Sequence, residues 1–224
     1  MYWKKVSGEK IPSSLDLKPV IYDYLKEGYE ILDIGCGSGK VSLKLASLGY
    51  SVTGIDINSE AIRLSKSAAQ NFMLDDKLAG KAEFKVGSAS ELPFSGETFD
   101  LAVMQAFLTS IVEAQERTRI MKEAWRVLKP GAYLYLAEFD QNWHLELYRN
   151  RYLHDFPLTK EEGSFLVKNS KTGKVEYIAH HFSEKELVFL LLNCGFDIDY
   201  FRTEELKTRT GNLIYGFVIV AKRL

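Results

Sequence analysis

A chain of 224 residues with a formal net charge of -1, its acidic and basic side chains mixed along the length, has no global field to draw in nucleic acid or an anionic membrane. Its 46% hydrophobic and 26% charged residues exclude disorder, and the length suits one α/β domain carrying an insertion. No apolar run is long enough to span a bilayer and the first ten residues lack the apolar centre of a signal peptide, so a cytoplasmic location is expected.

Residues 1–29 read as a lead-in, in which Pro19 opens an apolar pattern of Val20, Ile21, Tyr24 and Leu25 that predicts a short helix ending at Gly28. Ile31 to Ile34 is an apolar run that ends in the alternating glycines Gly35, Gly37 and Gly39. Val41, Leu45 and Leu48 then return at helical spacing until Gly49. The pattern is strand, tight turn, helix. Glycine serves there because the backbone needs positive φ and because a ligand can approach a main chain without side chains.

Ser51 to Ile55 is a β-branched strand ending at Asp56, and Asn58 can cap a helix with Ala61, Leu64, Ala68 and Phe72 on one face. Ala82 to Val86 predicts a third strand, residues 87–94 a loop or short helix, and Phe99 to Met104 a fourth strand. Glu113 to Leu128 is amphipathic, with Ile120, Ala124, Val127 and Leu128 inward, and Lys129-Pro130-Gly131 ends it before a fifth strand at Tyr133 to Phe139. Strand and helix alternate as in a parallel sheet covered on both faces.

Residues 140–181 break that rhythm and read as an insertion with turns near Gly163, Asn169 and Gly173, a cap over the substrate. Ser183-Glu184-Lys185-Glu186 is a capping box that starts a helix through Leu187, Leu190 and Leu191 to Gly195. Phe196 to Arg202 and Leu213 to Ala221 are the last strands, joined closely enough for a hairpin, so one of them runs antiparallel. The whole is a doubly wound, Rossmann-like α/β fold, read as a single domain over 1–224.

The glycine loop sits where such sheets bind ligands, at the carboxyl ends of the strands. A dinucleotide needs Gly-x-Gly-x-x-Gly, but Gly39 comes one position early and Lys40 stands in the reserved place. A phosphate-binding P-loop fails at Val41. Asp33, two residues before Gly35, would oppose a pyrophosphate and suits a cationic ligand, which also weighs against a nicotinamide-dependent oxidoreductase. Asp56 is placed for a ribose diol, so its replacement by Ala is expected to weaken the ligand and spare the fold. Ribose and positive charge together describe a nucleoside bearing a sulfonium and an ammonium.

On Leu32-Asp33-Ile34-Gly35-Cys36-Gly37-Ser38-Gly39, Gly54-Ile55-Asp56-Ile57-Asn58, Gly87 to Phe94, Phe99-Asp100-Leu101-Ala102-Val103 and Glu123 to Gly131, the chain resembles the class I S-adenosylmethionine (SAM)-dependent methyltransferases. The resemblance implies a seven-stranded sheet with an antiparallel last strand, SAM as cofactor and S-adenosylhomocysteine as product. It implies a cofactor wall of Asp33, Gly35, Cys36, Gly37, Gly39, Asp56, Ile57, Ser88, Ala89 and Gln105. In it the glycines border the methionine part, Asp33 lies near the amino group, Asp56 holds the ribose hydroxyls and Ile57 packs on adenine. Gln105 stands where the family's backbone meets the methionine end. Ser88 occupies a position where relatives often carry an adenine-binding aspartate; a hydroxyl beside Ala89 changes that contact, and Ser88 can equally cap a turn.

Methyl transfer from a sulfonium is an in-line displacement with no obligatory general base. Candidate substrate contacts are Phe107, Glu138 at the end of the fifth strand, and Trp143, His144, Tyr148, Arg151, His154, His180 and His181 of the insertion. Each also has an ordinary reading: Glu138 as a cap, the aromatics as packing, His180 or His181 as a partner of the helix start at Ser183. The Asn/Asp-Pro-Pro-aromatic motif of amino-group methylation on DNA or glutamine is replaced by Met104-Gln105-Ala106-Phe107. The expected acceptor is therefore a small molecule. RNA, through Lys168, Lys171 and Lys174, and a non-catalytic SAM-binding module are the alternatives. Cys36 and Cys194 have no CxxC or His spacing, so no metal is expected and both read as small buried residues.

Overall fold

A computed structural model describes residues 2–6, 16–74, 77–169, 171–208 and 211–224. In chain order, β1 (Glu30–Ile34) leads through the glycine loop to α1 (Lys40–Ser47), and β2 (Ser51–Asp56) to α2 (Ser59–Leu74) and β3 (Lys81–Val86). β4 (Phe99–Gln105), α3 (Ala114–Val127) and β5 (Leu128–Phe139) follow. The insertion holds α4 (Glu146–Thr159) and a hairpin of β6 (Ser164–Lys168) and β7 (Val175–His180). The chain closes with α5 (Glu184–Asn193), β8 (Phe196–Lys207) and β9 (Leu213–Arg223). The main sheet runs β3-β2-β1-β4-β5-β9-β8, with β9 antiparallel to both its neighbours, as the strand pattern and the resemblance required.

Side chains alternate across the strands. Ile34, Ala102, Met104 and Leu136 pack on one face with α3 and α5 through Ile120, Ala124, Leu187 and Leu191. Ile31, Val103 and Tyr135 pack on the other with Val41 and Leu45 of α1 and with the insertion through Tyr148, Tyr152 and Phe165. Among the described residues no helix is long and apolar enough to cross a membrane.

Four local expectations are corrected. The lead-in helix is a 3-10 turn over Pro19–Tyr24, with Leu25 already extended; only Ile21 is buried, so there is no apolar stripe to sustain a longer helix. The buried face of α2 is Ala61, Ile62, Ser65 and Ala69, with Leu64, Ala68 and Phe72 half-buried. Small residues face inward there because α2 approaches the glycine loop so closely that a Cβ on Gly39 would press on Ser65 and Phe84. Leu128 opens β5 instead of ending α3, and Lys129 to Ala132 loop out between the Phe99–Leu128 and Leu101–Tyr133 pairings. The insertion is regular: α4 buries Tyr148, Tyr152 and Asp155 while Leu147, Leu153, Phe156 and Leu158 stay exposed, so no apolar stripe announced it.

Candidate cofactor and acceptor site

The glycine loop is shaped by its backbone. Gly35, Gly37 and Gly39 have φ of 76°, 52° and 86°, and a Cβ on Gly35 would fall inside the Phe107 ring. Gly35 N and Cys36 N both donate to Ile55 O, at 2.8 and 3.1 Å, tying the loop to the end of β2. Asp56 there accepts from Gly37 N at 3.0 Å on Oδ2 and from Asn58 N at 2.9 Å on Oδ1. Burial raises its pKa, opposed by the amides of Asn58, Gly37 and Ile57.

Asn58 has two duties. Its Oδ1 caps α2, accepting from Glu60 N and Ala61 N at 2.9 and 3.0 Å, and its Nδ2 donates to Trp3 O and Val6 O at 2.7 and 2.8 Å. The N-terminal segment is thereby fastened beside Asp56. Trp3 reaches across to Tyr177 of β7, ring centroids 4.6 Å apart, with Tyr2 stacked on Tyr177 at 5.0 Å. Asn58→Ala is expected to lower stability by about 1–2 kcal/mol through the lost cap. It is also expected to speed amide exchange in residues 2–6, measured by urea unfolding and hydrogen exchange respectively.

Beneath this roof lies a cavity of about 590 Å³ at the carboxyl ends of the strands. Its walls include Gly35, Gly37, Asp56, Ile57, Ser88, Ala89, Gln105 and Phe107, all expected from the sequence. Phe139, Leu206, Leu213, Tyr177 and Trp3 also line it, and the sequence reading had not singled these out. Tyr177 lies on a strand hidden in the insertion, and Leu206 lies beyond the expected end of β8 at Arg202. Lys168, Lys171 and Lys174 lie at the exposed end of the β6–β7 hairpin, outside these walls.

Several expected residues stand behind the walls. Asp33 shares the face of Ile31, accepts from Ser42 Oγ of α1 at 2.6 Å, and is pushed up to about 7 by burial. Cys36 packs with Leu43, Ile62 and Phe84, and burial pushes its thiol well up, away from thiolate chemistry; Gly39 faces Phe84 and Ser65. Ser88 lines the cavity while its Oγ lies 2.9 Å from Ser90 Oγ and accepts from Ser90 N at 3.4 Å, so it serves the turn as well.

Glu138 is fully buried and accepts from Phe107 N, Leu108 N and Thr109 N at 2.9, 2.7 and 3.0 Å. It caps a one-turn 3-10 segment, Leu108–Ser110, and does not line the cavity. Burial pushes its carboxyl up to about 7, the amides opposing the shift. The corner it holds contains Ala106, a non-glycine residue at φ 47°, whose N donates to Ala137 O at 2.7 Å.

Most of the insertion's candidates lie outside the cavity walls, some internal and some exposed. Tyr148 and His181 lie in an aromatic cluster with Tyr152 and Phe165, His181 Nδ1 is 2.8 Å from Tyr152 Oη, and burial pulls the imidazole down to about 3. His144 is exposed against Tyr215, Trp143 donates to Gln141 Oε1, Arg151 lies over the Phe165 ring and His154 meets Asp155. His180 bonds Ser164 and Glu186 and lies beside Glu161, and Arg117 pairs with both glutamates, so the insertion is clamped to α3 and to the first turn of α5. The Glu186 carboxylate is turned to this cluster, while Ser183 Oγ still accepts from Glu186 N to cap α5.

A family model described as a methyltransferase domain matches residues 32–136, from β1 into β5. A SAM-dependent methyltransferase of known structure from Methanosarcina mazei is 69% identical, with a TM-score of 0.91 over 94% of this chain and 99% of that one. A ubiquinone/menaquinone biosynthesis C-methyltransferase, UbiE, from Pseudoalteromonas translucida is 26% identical over 77% of this chain and 68% of its own. The 27-O-demethylrifamycin SV methyltransferase of Amycolatopsis mediterranei is 32% identical over 51% of this chain and 40% of its own.

Proposed function

Because this chain belongs to the SAM-dependent methyltransferases, we propose that it methylates a small molecule held beside the cofactor, over the ends of β4, β5, β8 and β9. In this reading Gly35 and Gly37 border the methionine part of SAM, Asp56 takes the ribose hydroxyls, Ile57 packs on adenine, and Ser88 and Ala89 meet its edge. The residues fit the cofactor: Gly35 and Gly37 present bare backbone at the cavity wall, and Asp56 is a half-buried carboxylate beside them. Bound there, SAM supplies a methyl group activated by its sulfonium.

The protein's own contribution is alignment and exclusion of water. Trp3 and Tyr177 roof the cavity from two separate parts of the chain, and the insertion, residues 140–181, acts as a cap through Tyr177 and the clamp at His180. Asp33, Glu138, His180 and His181 are each committed to internal partners. Acceptors whose reacting carbon, sulfur or neutral nitrogen is already nucleophilic suit such a site, since none needs a strong base.

The observation that carries this reading is that the cavity continues past the glycine loop to Phe139, Leu206 and Leu213, with Lys18, Glu205 and Lys207 beside them. It is supported by two of the relatives named above, a ubiquinone/menaquinone biosynthesis C-methyltransferase and a 27-O-demethylrifamycin SV methyltransferase. The test is transfer of labelled methyl from SAM into a cell extract, fractionated by size. Label in the low-mass fraction is expected; label in RNA or protein would overturn the acceptor class.

A further inference from the structure

Gln105 is the last residue of β4 and is only 8% exposed, yet neither its Oε1 nor its Nε2 has a hydrogen-bond partner. The Tyr135 hydroxyl lies close enough for Gln105 to oppose the burial that raises the phenol's pKa. A buried primary amide with both ends unsatisfied is costly, and it lines the cavity. Its place in the sheet order is decisive. On one side, β1 and β2 carry Gly35, Gly37 and Asp56; on the other, β5, β9 and β8 carry Phe139, Leu213 and Leu206. Alternation along β4 puts Gln105 on the face of Val103, which is the face of Tyr135, Phe139 and Leu206.

The amide is also rigidly presented. Ala106, next to it, is held in the left-handed region between its own bond to Ala137 O and the three amides gathered by Glu138. A non-glycine residue stays there only when its surroundings enforce it.

Resting on the small-molecule reading, we propose that the Gln105 side chain positions the acceptor: it reads a polar edge on an otherwise apolar ring system, an adjacent hydrogen-bond donor and acceptor such as a lactam or hydroxy-carbonyl. The carboxamide donates through Nε2 and accepts through Oε1 in one plane, and the apolar walls take the remainder of the ring. The cofactor contact implied at this position belongs to the backbone, which a side-chain replacement leaves in place.

The probe is 2-quinolone, whose adjacent N–H and C=O match the amide, with 1-methyl-2-quinolone as the blocked control. Calorimetry on protein saturated with S-adenosylhomocysteine is expected to show the control binding about fivefold or more weaker than 2-quinolone. Gln105→Leu should abolish that difference while holding S-adenosylhomocysteine affinity within about twofold of wild type. Gln105→Asn, which keeps the polarity but shortens the reach, should do the same and serves if the Leu variant does not fold. Equal binding of the two probes to wild type, no binding of 2-quinolone, or a loss of S-adenosylhomocysteine affinity in both variants would overturn the proposal. Wild-type protein that fails to bind S-adenosylhomocysteine would instead overturn the functional reading beneath it.

Discussion

Glu138→Ala is expected to destabilise the protein by about 3–5 kcal/mol, because it leaves three buried or part-buried backbone donors with no acceptor. Phe107 N, Leu108 N and Thr109 N converge on this carboxylate, and the turn they belong to lines the cavity through Phe107, Thr109 and Ser110. Glu138→Gln keeps an oxygen for two of the amides but sets its own NH2 against the third, so its loss should be smaller. The sign of the pH dependence follows from the folded-state value near 7 against the ordinary 4.5. A raised carboxyl contributes stability that is present below about 4.5 and lost as pH rises through about 7. The stability gap between wild type and Glu138→Gln should therefore be wider at pH 5 than at pH 8, read from urea midpoints at the two values. Asp33, raised from 3.8 to about 7, acts on the same limb, while His181, lowered from 6.5 to about 3, removes stability as pH falls below about 6.5.

The contrast between what was legible and what was not has physical causes. The glycine loop, β2 and the antiparallel pair at the end were readable because glycine spacing, β-branched runs and a short connection are local signals, and they sufficed to predict the sheet. Glu138 was placed at the right strand end with two readings, substrate contact and cap, and the choice between them was not legible because its partners are amides about thirty residues earlier and no periodicity encodes them. Asp33 could have been placed from β1 alone: it alternates with Ile31 on the face that α1 covers, so a carboxylate there meets Ser42 before any ligand. The insertion hid α4 because exposed leucines and inward tyrosines cancel the amphipathic pattern, and with it went Tyr177, half of the roof.

Asp56→Ala is expected to weaken S-adenosylhomocysteine binding about 100-fold, the worth of two hydrogen bonds to a half-buried carboxylate. From the sequence alone the variant looked structurally silent, since it removes a strand-end contact and no core volume. The structure changes that expectation: Asp56 also accepts from Gly37 N and Asn58 N, so the same substitution releases the end of the glycine loop and the start of α2, at a cost of about 1–2 kcal/mol. A lost ligand contact and a loosened loop both lower affinity, so the measurement must separate them. The 2′-deoxyribose analogue of S-adenosylhomocysteine does so. If Asp56 grips the diol, wild type should prefer the ribose form by about tenfold and Asp56→Ala should show little preference, whatever happens to the loop. A preference that survives the substitution would place the ribose hydroxyls on another residue and leave Asp56 the role of holding Gly37 and Asn58 in register. Either outcome assigns the carboxylate, because the loop acts on both ligands alike and the diol contact acts on only one.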